Sequence, residues 1–154
     1  MAEFDDRLTA IEDRIAITEV IASYGYDYDE FRIDQWLEKF TPDATVTVSL
    51  EGNELGGTTG RDAIGNLLGA RVAGFQADNV QRRHNMTSIV VDELTATTAK
   101  ARSYLLLTST GPDGPTELVT SGRYLFDLVK QDGVWLVSAW VIGLDDPGFA
   151  EGHG

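Results

Sequence analysis

The sequence predicts one α+β domain, in which helices gathered in the N-terminal half cover a meander of long antiparallel strands in the C-terminal half. Three observations predict it. Apolar residues recur at helical spacing before Val80, runs rich in Val, Thr, Leu and Tyr follow it, and the connections between those runs are short and glycine-bearing. Helices first and strands afterwards is the order of an α+β fold rather than a doubly wound parallel one. A length of 154 residues with 42% apolar content suits a single core. The chain, 1–154, is therefore read as one domain, with 143–154 as a loose C-terminal tail.

From Asp5 onward, Leu8, Ile11, Ile15, Val20, Ile21 and Tyr24 recur at helical spacing with charged residues between them, which predicts an amphipathic helix with one buried stripe. A cluster of tyrosines and carboxylates follows. Ile33, Trp36, Leu37 and Phe40 then repeat the pattern in a second helix that Pro42 should stop. Ala44 to Leu50 has strand composition, and EGNELGGTTG implies turns around a short second strand. A third helix fits Arg61 to Phe75, with Ile64, Leu67, Leu68, Val72 and Phe75 as its apolar positions. Four strands complete the chain: Gln81 to Glu93, Thr97 to Thr110, Thr116 to Lys130 and Val134 to Ile142. Asp132-Gly133 supplies a type I′ hairpin signal between the last two. Arg102, Tyr104 and Leu106 alternate with Ala101, Ser103 and Leu105, yet LLL and WLVSAWVIG are apolar at successive positions, so both sheet faces should be covered. Helices can cover one face. A partner subunit is the simplest cover for the other.

The composition excludes several functions. With 25 acidic against 12 basic residues the net charge is -13, which repels phosphate backbones and anionic lipid headgroups, so neither nucleic acid nor a membrane is an expected partner. There is no cysteine, hence no thiolate nucleophile, disulfide or Cys-type metal site. No apolar run is long enough to span a bilayer, and a soluble cytoplasmic protein is expected. His84 is the one histidine outside the tail, so no transition-metal site is expected. GGTTG lacks the lysine of a phosphate loop, and no nicotinamide, flavin or haem signature is present, so no cofactor is expected.

The candidate residues lie around the end of the first helix and on the first long strand. Histidine, with an ordinary pKa of about 6.5, suits proton transfer near neutral pH. A carboxylate bonded to its other ring nitrogen would fix the tautomer and stabilise the imidazolium. Asp27 and Asp29 compete for that place. In an uninterrupted helix Tyr24 shares a face with Asp27 and Tyr28, whereas Asp29 extends the row of Thr18, Ala22 and Gly25, small side chains that would leave room for a ligand. A buried Tyr24 could hydrogen-bond a substrate oxygen, and Tyr104 could do the same. Arg82, Arg83 and Arg123 could orient an anionic substrate or form ion pairs.

The succession of Tyr24, Asp29, Trp36, Phe40-Thr41-Pro42-Asp43-Ala44, Gly60-Arg61, Arg83-His84, ARSYLLL over Ala101 to Leu107, Gly122-Arg123-Tyr124 and Gly133-Val134-Trp135 resembles the SnoaL-like branch of the NTF2-like superfamily. The resemblance covers about residues 5–142. It implies a cone in which a strongly curved mixed sheet wraps three helices around a deep apolar pocket, assembled as a homodimer or homotrimer through the sheet. It also implies cofactor-free acid-base chemistry on a small hydrophobic polycyclic, steroid-like or aromatic substrate. Relatives include scytalone dehydratase, bile-acid 7α-dehydratase, a dehydrochlorinase, polyketide cyclases and non-catalytic subunits. The catalytic positions it implies are His84, Asp29 and Tyr24, with Tyr28, Trp36, Phe40, Ser103, Tyr104 and Trp140 around the substrate. The sequence departs from scytalone dehydratase at Ser103, where a second pocket histidine would stand, and from the dehydrochlorinase near Ala139 or Trp140, where a late-strand arginine would stand. A lyase of the dehydratase kind is the leading expectation. An isomerase or cyclase with the same dyad, or a binding or accessory domain, is the alternative.

Overall fold

The computed structural model describes residues 2–146. Helix α1 (Ala2–Asp29) and the short α2 (Ile33–Leu37) lead into β1 (Phe40–Leu50) and β2 (Asn53–Thr59). Helix α3 (Arg61–Ala77) is followed by the long strands β3 (Gln81–Leu94), β4 (Thr98–Thr110), β5 (Thr116–Gln131) and β6 (Val134–Leu144). The predicted α+β order and the three helices of the N-terminal half are therefore present.

The strands form one open, curved sheet in the order β2-β1-β6-β5-β4-β3. It is mixed because β1 runs parallel to β6, while every other neighbouring pair is antiparallel. The β5–β6 turn has positive φ at both Asp132 and Gly133, as the type I′ signal predicts. Register slips between Thr87 and Val90 and between Val91 and Glu93 interrupt β3, with Ser88 at a φ of 52°. Such bulges bend a strand and increase its twist, curving the sheet beside the site.

Alternation along β4 behaves as predicted. Ala99, Ala101, Ser103, Leu105 and Leu107 point inward and are buried, while Arg102, Tyr104 and Leu106 face outward. The inner face joins Tyr124, Phe126, Leu128, Trp135 and Trp140 to the helices, and this aromatic-rich layer is the core. Asp13 fastens the middle of α1 to the far side of the sheet: its Oδ1 accepts from Lys130 Nζ at 2.7 Å and from Trp135 Nε1 at 2.9 Å. Burial pushes this carboxyl up, but the hydrogen bonds from Lys130 and Trp135 and the lysine charge outweigh it and hold it below its ordinary value.

Three local expectations need correction. The buried stripe of α1 comprises Asp13, Ile17, Ile21, Tyr24 and Tyr28, whereas Leu8, Ile11 and Ile15 are 45%, 54% and 54% exposed. Helical periodicity locates an apolar stripe without saying whether it meets the core, and between residues 3 and 15 Asp13 alone is buried. The second helix ends at Leu37 rather than running through Phe40, which opens β1 opposite Val137. Pro42 does not stop that helix. It lies inside β1, where the β1–β6 register is interrupted between Phe40 and Thr45 and a missing N–H costs no ladder bond. Finally, Gly143 and Leu144, assigned to the tail, pair with Ser49 and Leu50 and belong to β6. Residues 147–154 of that tail lie outside the described residues.

Candidate active site

Helix α1 ends against β3, and the contact is built around Gly25. A Cβ at Gly25 would stand 2.7 Å from the backbone oxygen of His84, a separation that real Cβ atoms do not reach. Glycine therefore lets the helix settle directly on the strand. One turn later Asp29 meets the same residue: its Oδ2 accepts the His84 backbone N–H at 2.6 Å and its Oδ1 lies 2.7 Å from His84 Nδ1. The helix end itself is tied down by Gln81, whose Nε2 donates to the Asp29 carbonyl oxygen at 2.9 Å. Both side chains are buried, at 7% exposure for His84 and 4% for Asp29. A carboxylate that receives the backbone and ring N–H of one histidine fixes both the position and the tautomer of the ring, leaving Nε2 as the free nitrogen.

Tyr24 and Tyr28 set their rings edge-on to the imidazole, at centroid distances of 6.0 and 5.3 Å. Behind them Tyr24 packs on Trp140 at 4.9 Å and on Tyr124 at 6.2 Å. His84 also lines a cavity of about 160 Å³, together with Tyr24, Tyr28, Tyr124, Trp140 and aliphatic side chains of α3 and the sheet, and Asp29 is not on its wall. A volume of that order holds a single aromatic ring. The Tyr28 hydroxyl donates to the Leu68 carbonyl at 3.2 Å. Among the described residues, the Tyr24 and Tyr124 hydroxyls make no hydrogen bond to protein. Burial raises the pKa of all three tyrosines. Tyr28 is pushed up to about 12, and Tyr24 and Tyr124 are held well above their ordinary value by burial and by neighbouring tyrosines and Asp29. They are neutral O–H donors in the physiological range. Among the described residues no group of three or more His, Asp or Glu side chains is placed to hold a metal ion.

The family model for the SnoaL-like domain matches residues 9–141. The chain belongs to the SnoaL-like family. No curated protein sequence matches it. Among solved structures, this SnoaL-like domain is similar to an NTF2-like protein with a cystatin-like fold from Novosphingobium aromaticivorans, with a TM-score of 0.79 at 22% identity over 96% of this chain and 91% of the other. It is also similar to a candidate scytalone dehydratase from the same organism, with a TM-score of 0.73 at 23% identity over 90% and 87%. ActVI-ORFA from Streptomyces coelicolor matches with a TM-score of 0.75 at 20% identity over 88% and 96%. At these identities the likeness establishes the NTF2-like, cystatin-like fold.

Within this SnoaL-like domain, the residues weighed for the site separate into four groups. His84, Asp29 and Tyr24 come together, with Tyr28 and Trp140 beside them. Asp27, the competitor of Asp29, turns the other way and pairs with Arg32 at 3.2 Å and Lys39 at 2.9 Å, bracing the α1–α2 turn. Trp36, Phe40 and Ser103 are buried but do not line the cavity: Trp36 and Phe40 meet edge to face at 4.9 Å in the core, and Ser103 faces inward along β4. Tyr104 is corrected outright. Its strand position places it on the outer sheet face at 62% exposure, one residue out of phase with the pocket. Within the Thr18–Ala22–Gly25 row, Gly25 makes room for β3. Of the arginines, Arg83 pairs with Glu30 at 2.9 Å, Arg123 lies on the outer face, and Arg82 lines the cavity. Arg71 of α3 and Tyr124 of β5 also line it and were not singled out from the sequence. A solitary arginine on a helix carries no signal before the helix has been docked.

Among the described residues no helix is long and apolar enough to cross a membrane.

Proposed function

We propose that the protein is a cofactor-independent acid-base enzyme, a lyase of the dehydratase kind, acting on a small hydrophobic aromatic or polycyclic molecule. The observation that carries this reading is the double grip of Asp29 on His84, which leaves Nε2 free on a histidine that lines a cavity together with three neutral tyrosines. The cavity volume admits one aromatic ring, so a larger substrate would extend toward the mouth.

In this mechanism His84 Nε2 removes a proton from a carbon next to a carbonyl. The C–H electron pair moves into the enolate, and the imidazolium is stabilised by Asp29. Tyr24 or Tyr124 donates a hydrogen bond to the developing oxyanion, where a preorganised donor in a dry site has its greatest effect. The enolate then collapses to a carbon–carbon double bond as the β-hydroxyl leaves, taking the proton from His84 and departing as water. Asp29 acts through His84 and is a positioning residue.

The test is turnover of a panel of aryl and bicyclic β-hydroxy ketones, followed by product mass. Loss of one water marks dehydration, whereas an unchanged mass with deuterium uptake from solvent assigns the same dyad to an isomerase or cyclase. His84→Gln is expected to lower turnover by about 10² to 10⁴. Parent-like turnover in His84→Gln would sink the mechanism. Ligand binding by the parent without exchange or turnover would favour a binding or accessory domain. The outer sheet face, with Tyr104, Leu106 and Leu125 exposed, is the surface through which we place a homodimer or homotrimer.

A further inference from the structure

The chain is strongly acidic, with a net charge of -13, yet among the described residues no Asp or Glu lines the cavity over His84. The cationic side chains on its wall, among the described residues, are Arg71 and Arg82. Arg82 lies two residues before His84 on the inward face of β3: Arg82, His84 and Met86 are partly buried, whereas Arg83, Asn85 and Thr87 between and beyond them are exposed. Two residues of strand amount to about 7 Å, so Arg82 stands roughly one aromatic ring away from the proposed base. Its guanidinium lies over the Phe75 ring at 4.5 Å, which orients the fork. Arg71 reaches the cavity from α3 and is exposed at its mouth. Among the described residues Arg71 forms no ion pair or hydrogen bond. Both arginine charges act on the Tyr28 hydroxyl and partly oppose the rise in its pKa, which places their fields at the cavity.

We propose that this cavity takes aromatic substrates bearing a carboxylate, with Arg71 and Arg82 holding the anion and the ring lying over His84. A planar guanidinium fork matches a carboxylate in geometry as well as charge, and the apolar wall accepts the ring. The inference rests on the cavity being the substrate pocket of the proposed enzyme, and it names the substrate class. An anion fixed about 7 Å from His84 would present a carbon of the ring or its side chain to Nε2.

The probes are phenylacetate and phenylacetamide, which have the same shape and differ in charge, with binding followed by tryptophan fluorescence because Trp140 lines the cavity. Phenylacetate should bind about 10- to 100-fold tighter than the amide, and the preference should weaken with salt. Arg82→Gln and, separately, the exposed Arg71→Gln should each reduce the preference. Equal binding of acid and amide, binding of neither, or a preference that survives both arginine substitutions overturns the proposal. The two readings fail separately: charge preference without any turnover sinks only the enzyme, and His84-dependent turnover without charge preference sinks only the carboxylate.

A second surface stands on independent observations. Phe4, Leu8, Ile11 and Ile15 are 67%, 45%, 54% and 54% exposed and follow the alternating spacing of a coiled-coil seam. They point away from the α1 face that carries Asp13 and Ile17 into the domain. Flanking positions on one side of the seam hold Asp5, Glu12 and Glu19, and those on the other hold Arg7 and Arg14. Among the described residues Asp5, Arg7, Glu12 and Glu19 form no ion pair within the chain. In a parallel pair of such helices Arg7 faces Glu12 of the other copy, and Arg14, which donates to the Val91 carbonyl at 3.0 Å, lies on the side of Glu19, whereas an antiparallel pair sets like charges opposite each other.

We infer that this seam binds a second copy of the chain through parallel pairing of the two α1 helices. Each helix is already formed on its own domain, so association does not bear the cost of nucleation. In sedimentation, Leu8→Lys with Ile11→Lys should halve the mass of the parent assembly. Because the chain has no cysteine, Ile11→Cys should form a dimeric disulfide under mild oxidation and Thr9→Cys should not. An unchanged mass in the lysine variant, or equal cross-linking at both positions, overturns the inference.

Discussion

Both halves of α1 carry apolar residues at helical spacing, yet they meet different surroundings. Ile17, Ile21, Tyr24 and Tyr28 disappear into the core, and Asp29 at the end of that row grips His84. Phe4, Leu8, Ile11 and Ile15 stay in solvent, and Asp13 marks the crossover, where the helix is fastened to Lys130 and Trp135. Amphipathic periodicity is thus a property of the helix alone. Which stripe becomes core, and which is left for a partner, depends on where the helix crosses the sheet.

Replacing residues along α1 should therefore have graded effects, greatest at its C-terminal end. Asp29→Asn is expected to lower turnover by about 10² or more, because the amide can present the wrong partner to Nδ1, and to displace the pH–rate profile. Asp27→Asn, two residues away, should keep both turnover and profile. Equal losses in the two variants would break the distinction drawn between them.

Alkaline titration comes next. The ordinary tyrosine pKa is 10.0, and Tyr28 is held at about 12, so an unfolded chain ionises where the folded one does not. This contribution to stability is present in full below pH 10.0 and is lost as pH rises through about 12. For Tyr28 it amounts to about 2–3 kcal/mol. Denaturation followed by tyrosinate absorbance should show it, and Tyr28→Phe should flatten the dependence.

Gly25→Ala should cost about 1–3 kcal/mol by forcing α1 away from the His84 backbone, and turnover should fall with it. Parent-like urea midpoints and turnover in this variant would show that the contact can relax. Asp13→Asn should cost about 1–2 kcal/mol at neutral pH. Because its carboxyl is held below 3.8, that contribution is present in full above the ordinary value and is lost as pH falls through the lower one, so parent and variant should converge in acid. Least affected should be the domain stability of Leu8→Lys with Ile11→Lys, within about 0.5 kcal/mol when measured at concentrations low enough to keep the protein monomeric.

Much of the fold was legible because it follows from local patterns. Alternation along β4, the Asp132-Gly133 turn and the spacing of apolar residues in α3 are short-range signals, and each reports how a segment can bury one side of itself. The resemblance to the SnoaL-like branch selected Asp29 over Asp27, a choice that helical geometry alone did not make. Trp36, Phe40 and Ser103 are buried, as their chemistry allowed, but burial does not distinguish a cavity wall from the packing behind it. Tyr104 shows how one strand residue assigns a side chain to the opposite face.

By itself the sequence determined the class of fold, the succession of elements and the chemical types available for a site: one histidine in the body of the chain, a cluster of tyrosines and carboxylates, and no cysteine. Tertiary structure decided which of these meet. The helix end at Asp29, the inward phase of β3 and the close approach at Gly25 bring groups far apart in the chain within 2.7 Å. The same docking turns Arg71 toward the cavity and leaves Leu8 and Ile11 outside. Local periodicity constrains only a segment's own faces, whereas a site depends on the relative placement of several segments, which their packing alone sets.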